Sequence, residues 1–236
     1  MQSDTIQAVF FDAGYTLLCM DPDQVTIFLG VCDQLSIGID RERLAGGIAK
    51  ANSLLAPRAA RLQPQPFSQT AVDEFWTRYN HTLLSLAALD PRDARHAELV
   101  YRRFTAAITW RIYDEVRPVL STLRRRGIAL GIISNWTGDL EDVLHKLELH
   151  GAFDFVLDSS RLGYEKPHAQ IFLEAVRRAG ITPATALHVG DSPEHDVDGA
   201  LASGLRAILL DRANRYPAFD RAPRVTDLNG LLQHLS

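Results

Sequence analysis

The chain has 236 residues, of which 46% are hydrophobic and 23% charged. This composition is typical of a globular protein with a substantial core and excludes a largely disordered chain. The formal net charge is −4, and the 25 lysines and arginines are scattered, which argues against a nucleic-acid partner. The densest cationic run, at 124–126, comes just before Gly127 and suits the C-terminal end of a helix.

No targeting or membrane-spanning segment is predicted. The first residues, MQSDTIQAVFFD, contain no lysine or arginine, and their apolar run is too short for a signal peptide. No apolar stretch has the length of a membrane span. Cys19 and Cys32 show neither a metal-ligand spacing nor the pattern of a disulfide framework. We therefore expect a soluble, cytoplasmic protein.

Five short apolar runs rich in β-branched residues are predicted to be strands. They are IQAVFF at 6–11, IALGIIS at 128–134, FDFVLDS at 153–159, TALHVG at 185–190 and RAILLD at 206–211. Helical patterns alternate with these runs at 116–126, 138–148, 167–179 and 195–203, and the predicted stop signals are Gly127, Gly151, Gly180 and Gly204. This alternation predicts an α/β fold with a doubly wound parallel sheet, in which ligands bind beyond the carboxyl ends of the strands.

The stretch 20–110 separates the first two predicted strands and is far longer than one crossover connection needs. Segments such as VTIFLGVCDQL and AVDEFWTRYNHTLLSLAAL have helical periodicity. We therefore expect residues 20–110 to form an inserted all-helical cap domain, whose apolar faces pack together over the edge of the sheet. Residues 1–19 and 111–236 would form the sheet domain.

Polar residues follow three of the predicted strands. Asp12 follows FF, Ser134 and Asn135 follow GII, and Asp191 follows HVG, while Lys166 opens the predicted helix after the third strand. Neighbouring carboxylates repel each other unless a cation lies between them, and Mg²⁺ is the natural complement. An ammonium and a hydroxyl can hold phosphate oxygens. Taken singly, these residues also fit turns, helix caps or a solvated lysine.

Taken together, the motifs resemble a known family. FDAGYTLL, GIISN, the lysine of YEKPHAQIF and VGDSPEHDVDGALASG occur in that order, and the sequence is similar to the haloacid dehalogenase-like (HAD) hydrolase superfamily, subfamily I. The resemblance implies a Rossmann-like core with a helical cap inserted after the first motif. It also implies Mg²⁺-dependent phosphatase-type phosphoryl transfer on a small phosphorylated metabolite.

The resemblance further implies the roles of four residues at a metal centre. Asp12 would be the nucleophile, forming an aspartyl-phosphate that water later hydrolyses. Mg²⁺ would bind Asp12, the backbone carbonyl of Gly14 and Asp191, and Asp196 would support the metal site through water or the lysine.

A second group of residues would bind the substrate. The same resemblance implies that Thr16, Ser134 and Asn135 contact the phosphoryl group and that Lys166 neutralises its charge.

Two histidines lie in the fourth motif region. His188, within a predicted strand, is expected to be a packed core residue, and His195, beside Asp196, is a candidate for contact with the water shell of the metal.

Gly14 departs from the pattern of the family's phosphatases. That position usually carries a second aspartate, the general acid and base, whose help is worth about 10²–10⁴ in rate. The chain is therefore expected to act on phosphate esters with good leaving groups, or to be a dehalogenase-like or phosphonatase-like hydrolase, or to be a catalytically weak phosphate-binding or scaffold protein. Dehalogenases do not need the metal-binding acid, so Asp191 favours phosphoryl chemistry. Phosphonatases use a cap lysine, and Lys50, the one lysine within 20–110, reads more simply as an exposed helix residue.

Overall fold

The computed structural model of the protein describes residues 5–59, 68–87 and 96–235. These residues divide into two compact units. The unit that we call the sheet unit contains the described residues up to Cys19 and from Ile112 onward, and the helical unit contains those from Met20 to Arg111.

The strands of the described chain are short. They are β1 (Ala8–Phe11), β2 (Leu18–Met20), β3 (Trp110–Ile112), β4 (Ala129–Ser134), β5 (Phe155–Asp158), β6 (Ala186–Gly190), β7 (Arg206–Leu210) and β8 (Arg224–Val225). Strands β2 and β3 form a separate two-stranded sheet, and neither they nor β8 were predicted, because two or three residues carry too little alternation to be recognised.

The described residues also contain α-helices, which are numbered here in chain order. They are α1 (Gln24–Gln34), α2 (Arg41–Ala59), α3 (Gln69–Leu86), α4 (Ala97–Ala107), α5 (Val116–Arg125), α6 (Leu140–Lys146), α7 (Ser159–Leu162), α8 (Ala169–Ala179) and α9 (Gly199–Ala202).

Six parallel strands form the main sheet in the order β5-β4-β1-β6-β7-β8. Strand β1 is central because all four of its residues, AVFF, are apolar and buried, as a parallel strand covered on both faces requires. Phe11 at its end pairs with Ile132 of β4 and with Val189 of β6. The prediction of a doubly wound parallel sheet flanked by helices is confirmed.

The core of the sheet unit joins the sheet to the apolar face of α8. Phe10 of β1, Ile133 of β4 and Phe172 of α8 are fully buried members of one cluster, and Phe10 also contacts the ring of Phe155 with centroids 5.6 Å apart. Gly131 makes this packing possible, since a Cβ at that position would lie 2.5 Å from the ring of Phe155. Close packing of this kind holds the strand ends, and therefore the residues that follow them, in a fixed register.

The helical unit has a core of its own. Residues from α1, α2, α3 and α4 form one buried cluster, in which Phe28 and Phe104 stack with ring centroids 4.0 Å apart. Asp23 begins α1 by accepting a hydrogen bond from the backbone N–H of Thr26, as an N-cap residue does. Among the described residues, no helix of the protein combines the length and the apolarity needed to cross a membrane.

Two predicted helix boundaries are wrong. Helix α8 begins at Ala169, not at Pro167, because the His168 side chain caps it by accepting a hydrogen bond from the N–H of Gln170. Helix α6 ends at Lys146, not at the predicted Glu148, and Gly151 is not its stop signal, because Glu148 adopts a φ of +52° and the following chain forms a separate short helix at His150–Ala152.

The segment after β6 is also less regular than predicted. In place of one helix over 195–203, a π-helix runs from Pro193 to Asp198 and α9 follows it. The N-cap of this π-helix is Ser192, whose hydroxyl accepts a hydrogen bond from the N–H of His195. A π-helical turn widens the helix, a feature that is frequent at functional sites.

Candidate active site

Three neighbouring parallel strands deliver polar side chains to one edge of the sheet. Asp12 follows β1, Ser134 ends β4 on one side, and Asp191 follows β6 on the other. Because these strands are parallel and in register, their carboxyl ends lie together. The predicted convergence of these residues is therefore present in the fold.

Asp12 is buried, and only one of its carboxylate oxygens is held by neighbours. Oδ1 accepts hydrogen bonds from Nζ of Lys166 at 2.7 Å and from Oγ of Ser134 at 3.1 Å. Within the described residues, no hydrogen bond or ion pair involves Oδ2. Burial raises the pKa of Asp12, and the ammonium of Lys166 offsets only part of that shift. Asp12 therefore presents one oriented and one unengaged oxygen.

Lys166 is the buried cation of this site. Its Nζ lies 2.7 Å from Oδ1 of Asp12 and 2.6 Å from Oδ1 of Asp196. Burial lowers the pKa of Lys166, but the two carboxylates outweigh burial and raise it to about 12. The side chain is thus a permanent positive charge between two negative ones.

Asn135 fixes the backbone that carries this lysine. Its Oδ1 accepts a hydrogen bond from the N–H of Lys166 at 2.7 Å, and its Nδ2 donates to the carbonyl of Lys166 at 2.9 Å. The amide of Asn135 therefore uses both of its polar atoms on Lys166. Its role as a ligand of the substrate stays a prediction.

Asp196 lies behind Lys166 and is held on both oxygens. Oδ2 accepts from the N–H of Ser192 at 3.0 Å, while Oδ1 contacts Lys166 and Nε2 of His188, the latter at 2.9 Å. Burial raises the pKa of Asp196, but the Lys166 ammonium and the contact with His188 lower it by more than burial raises it. The pKa of Asp196 therefore lies well below its usual range. Asp196 is a fixed anion that orients Lys166.

Gly190 makes room for Asp196. A Cβ on Gly190 would lie 2.1 Å from Cγ of Asp196, a separation that no packed side chain tolerates. The last residue of β6 therefore has to lack a side chain if this carboxylate is to reach Lys166.

His188 is buried within β6, as predicted, and it also belongs to the network of the site. Its ring meets Phe172 edge to face at 5.2 Å and its Nε2 contacts Asp196. Burial lowers the pKa of His188, which favours the neutral ring. The contact between His188 and Asp196 could not be predicted from the sequence, because it depends on the turn between β6 and the π-helix. His195, the other histidine, places its Nδ1 3.2 Å from Oγ of Ser192.

Asp191 is the third carboxylate of the site and the most accessible. Its Oδ2 lies 3.1 Å from Nη2 of Arg215, a residue that was not predicted from the sequence. Burial, together with the charges of Asp12 and Asp196, raises the pKa of Asp191 to about 7, and Arg215 counteracts these effects in part. A buried carboxylate next to other carboxylates favours binding of a proton or a metal cation.

Asp12, Asp191 and Asp196 form an acidic cluster. One oxygen from each lies within 4.8 Å of the oxygens of the other two. Hard oxygen ligands at this spacing suit Mg²⁺, and both the unengaged Oδ2 of Asp12 and the raised pKa of Asp191 indicate negative charge that is incompletely compensated. The residues present therefore fit the predicted ion.

The loop after Asp12 carries Gly14 and Thr16. Its backbone hydrogen bonds join Ala13 O to the N–H groups of Leu17 and Leu18, and Tyr15 N–H to Leu18 O, so none of them uses the carbonyl of Gly14. Thr16 is fully buried, and its Oγ1 has no hydrogen-bond partner within the described residues. The roles predicted for Gly14 and Thr16 stay predictions.

Arg212 holds this loop from the far end of the chain and was not predicted from the sequence. Its guanidinium donates to the carbonyls of Tyr15 and Thr16, pairs with Glu115 at 2.6 Å and lies 3.6 Å from the ring centroid of Tyr113. Four contacts from one planar group fix the backbone beside Gly14.

Comparisons with known proteins identify the family. The family model "haloacid dehalogenase-like hydrolase" matches residues 6–204. The haloacid dehalogenase-like hydrolase domain-containing protein 3 of Bos taurus is 39% identical over 114 residues, which are 48% of this chain and 45% of that protein. A phosphoserine phosphatase of Thermus thermophilus is 36% identical over 57% of this chain and 55% of its own length.

The fold has solved counterparts. The putative HAD-hydrolase YfnB from Bacillus subtilis matches with a TM-score of 0.76 and 19% identity over 98% of this chain and 99% of its own. The chain spans about half the length of the curated relatives it matches, while the family model extends over all four motifs. This chain therefore belongs to the haloacid dehalogenase-like hydrolase family.

Proposed function

We propose that the protein is a Mg²⁺-dependent hydrolase of small phosphate monoesters that works through an aspartyl-phosphate on Asp12. The observation that carries the proposal is the asymmetric environment of this carboxylate. Lys166 and Ser134 hold Oδ1, which leaves Oδ2 unengaged among the described residues and oriented as a nucleophile.

The metal would be held by the carboxylates of Asp12 and Asp191 and by the carbonyl of Gly14. Asp196 would act from behind, since both of its oxygens are already used by Lys166, His188 and Ser192. When bound, Mg²⁺ would offset the charge of the carboxylates and polarise the phosphoryl oxygens.

The reaction would take two displacement steps. In the first, Oδ2 of Asp12 attacks phosphorus, the bond between phosphorus and the ester oxygen breaks, and the alkoxide takes a proton from solvent. In the second, water attacks phosphorus, the bond to Oδ2 breaks, the proton of the water passes to solvent, and phosphate leaves. Lys166 and Ser134 would stabilise the anionic phosphoryl oxygens in both steps.

Gly14 limits which esters react fast. It has no side chain to protonate the leaving oxygen, so we expect substrates whose leaving group needs no proton, such as acyl phosphates and activated aryl esters. With such substrates, formation of the aspartyl-phosphate would be faster than its hydrolysis, because the second step still lacks a general base. Similarity to a phosphoserine phosphatase over about half of each chain supports a small phosphorylated substrate.

The test measures turnover of p-nitrophenyl phosphate and acetyl phosphate with Mg²⁺ and with EDTA. Wild type is expected to release phosphate only with Mg²⁺, and Asp12→Asn to lose at least about 10³ in kcat, because the amide is a poor nucleophile. Asp154→Asn is the matched control, since Asp154 precedes β5 and binds Arg124 and the N–H of Leu130 instead of the site.

Two other outcomes would contradict the proposal. Release of halide from a 2-haloacid without Mg²⁺ would indicate dehalogenase-like chemistry. Absence of turnover by wild type across phosphate esters and acyl phosphates would favour a binding or scaffold protein.

A further inference from the structure

Arg215 stands at the outer side of the acidic cluster, in a loop that is built around another carboxylate. Asp211 follows β7 and is fully buried. Its oxygens accept hydrogen bonds from the N–H groups of Arg215 and Tyr216, each at 2.8 Å, and from Nη1 of Arg224 at 3.0 Å. These bonds fix the backbone of Arg215 beside the site, so its position does not depend on its own side-chain contacts.

The guanidinium of Arg215 is only lightly engaged. Its side chain is 53% exposed, and Nη2 makes a 3.1 Å contact with Oδ2 of Asp191. Within the described residues, its Nη1 and Nε make no hydrogen bond. A half-exposed ion pair of this kind contributes little free energy. The guanidinium of Arg215 can therefore exchange Asp191 for another anion at a small cost in free energy.

The charges of the site favour that exchange. A cation held by Asp12 and Asp191 would reduce the attraction of Asp191 for Arg215 and would repel the guanidinium itself. Lys166 contacts Asp12 and Asp196, and its remaining N–H is assigned above to the first phosphate, so it has no donor left for a second anionic group. Arg215 therefore lies beside the acidic cluster with guanidinium N–H donors that can bind an incoming anion.

We propose that Arg215 binds a second anionic group on the substrate, so that the site binds phosphate monoesters that carry a carboxylate or a further phosphate more tightly than monoesters that carry neither. This inference rests on the proposed function for the place of the first phosphate. It adds a substrate class and a binding residue that the four family motifs do not contain.

The experiment compares esters that differ only in the second anion. O-phosphoserine is paired with O-phosphoethanolamine, which lacks the carboxylate, and fructose 1,6-bisphosphate is paired with fructose 6-phosphate. Isothermal titration with Mg²⁺ measures the Kd of each ester in an Asp12→Asn background, where turnover is blocked. Turnover of the same esters by wild type is measured separately, so failure of the chemistry and failure of this inference are distinguishable.

We expect a Kd at least about tenfold lower for the doubly anionic member of one pair, the effect of a charge-assisted hydrogen bond. Adding Arg215→Met should abolish that preference, and Arg215→Lys should keep part of it. Arg221→Met is the matched control, because Arg221 is a similarly exposed arginine that pairs with Asp198. The pair in which the preference occurs identifies the second anion as carboxylate or phosphate.

Equal Kd values within both pairs, or a preference that survives Arg215→Met, would overturn the inference. A preference lost equally in the Arg221→Met protein would assign it to general surface charge and overturn it too.

Discussion

Lys166 donates a 2.7 Å hydrogen bond to Oδ1 of Asp12, although the two residues are 154 positions apart in the chain. This bond and the one from Ser134 engage one oxygen of the carboxylate, and the other has no hydrogen bond among the described residues. Because Lys166 is itself held by Asn135 and Asp196, the orientation of the proposed nucleophile depends on a buried network of charges.

Replacing Lys166 by Met should therefore affect stability as well as turnover. Two buried carboxylates would lose their shared cation, and we expect the free energy of unfolding to fall by about 3–5 kcal/mol. Urea denaturation in EDTA measures the change. Lys50→Met, at an exposed position of α2, should change it by less than about 0.5 kcal/mol. An equal effect of the two variants would contradict the role given to Lys166.

Gly14→Asp should increase turnover of esters with poor leaving groups. The new carboxyl group would stand at the position from which the family's general acid and base acts, a contribution of about 10²–10⁴ in rate. Measurement of kcat for an alkyl phosphate and for p-nitrophenyl phosphate tests this, with the larger gain expected for the alkyl ester. Gly14→Asn, which cannot exchange a proton in the same way, is the control. A gain with Asn equal to that with Asp would point to packing instead of proton transfer.

Asp191 should make the stability of the metal-free protein depend on pH. Its pKa rises from 3.8 to about 7 on folding, so the folded state holds a proton that the unfolded state has lost between these two values. This contribution is complete below pH 4 and is lost as the pH rises to 7, with a slope of up to about 1.4 kcal/mol per pH unit.

Urea denaturation in EDTA at several pH values measures this dependence, and Asp191→Asn should flatten it. Parallel profiles for the wild type and the variant would refute the contribution.

Gly190→Ala should displace Asp196. A Cβ at 190 overlaps the carboxylate of Asp196, and overpacking of this kind costs about 1–3 kcal/mol. We expect a lower Tm and a weaker response of Tm to Mg²⁺. Gly46→Ala is a suitable comparison, because a Cβ at that position of α2 would have no atom within 4 Å and alanine favours a helix interior. Unchanged Tm in Gly190→Ala would show that Asp196 can move without cost.

The strand ends could be predicted from the sequence because each central strand is a buried, mainly apolar run that stops at a polar residue. AVFF before Asp12 and ALHVG before Asp191 are of this kind. In a parallel sheet, such ends necessarily lie on one edge. The positions of Asp12, Ser134 and Asp191 therefore follow from local patterns.

The contacts made by arginines and histidine could not be predicted in this way. Arg212 reaches the loop at Tyr15 and Thr16, and Arg215 reaches Asp191 across 24 positions. These pairs depend on how the chain after β7 folds around Asp211, and no periodicity or motif records that. Helix boundaries failed for a related reason, because the side chain of His168 decides where α8 begins.

Capture of the phosphorylated enzyme tests directly whether Asp12 is the nucleophile. Wild type is mixed with p-nitrophenyl phosphate and Mg²⁺, quenched in acid within the first turnovers, digested and analysed by mass spectrometry. Because Gly14 leaves the second step without a base, we expect a burst of nitrophenol and a phosphoryl group on the peptide that contains Asp12, both absent from Asp12→Asn. Steady turnover by wild type with no label on that peptide, or a label that persists in Asp12→Asn, would contradict this role of Asp12.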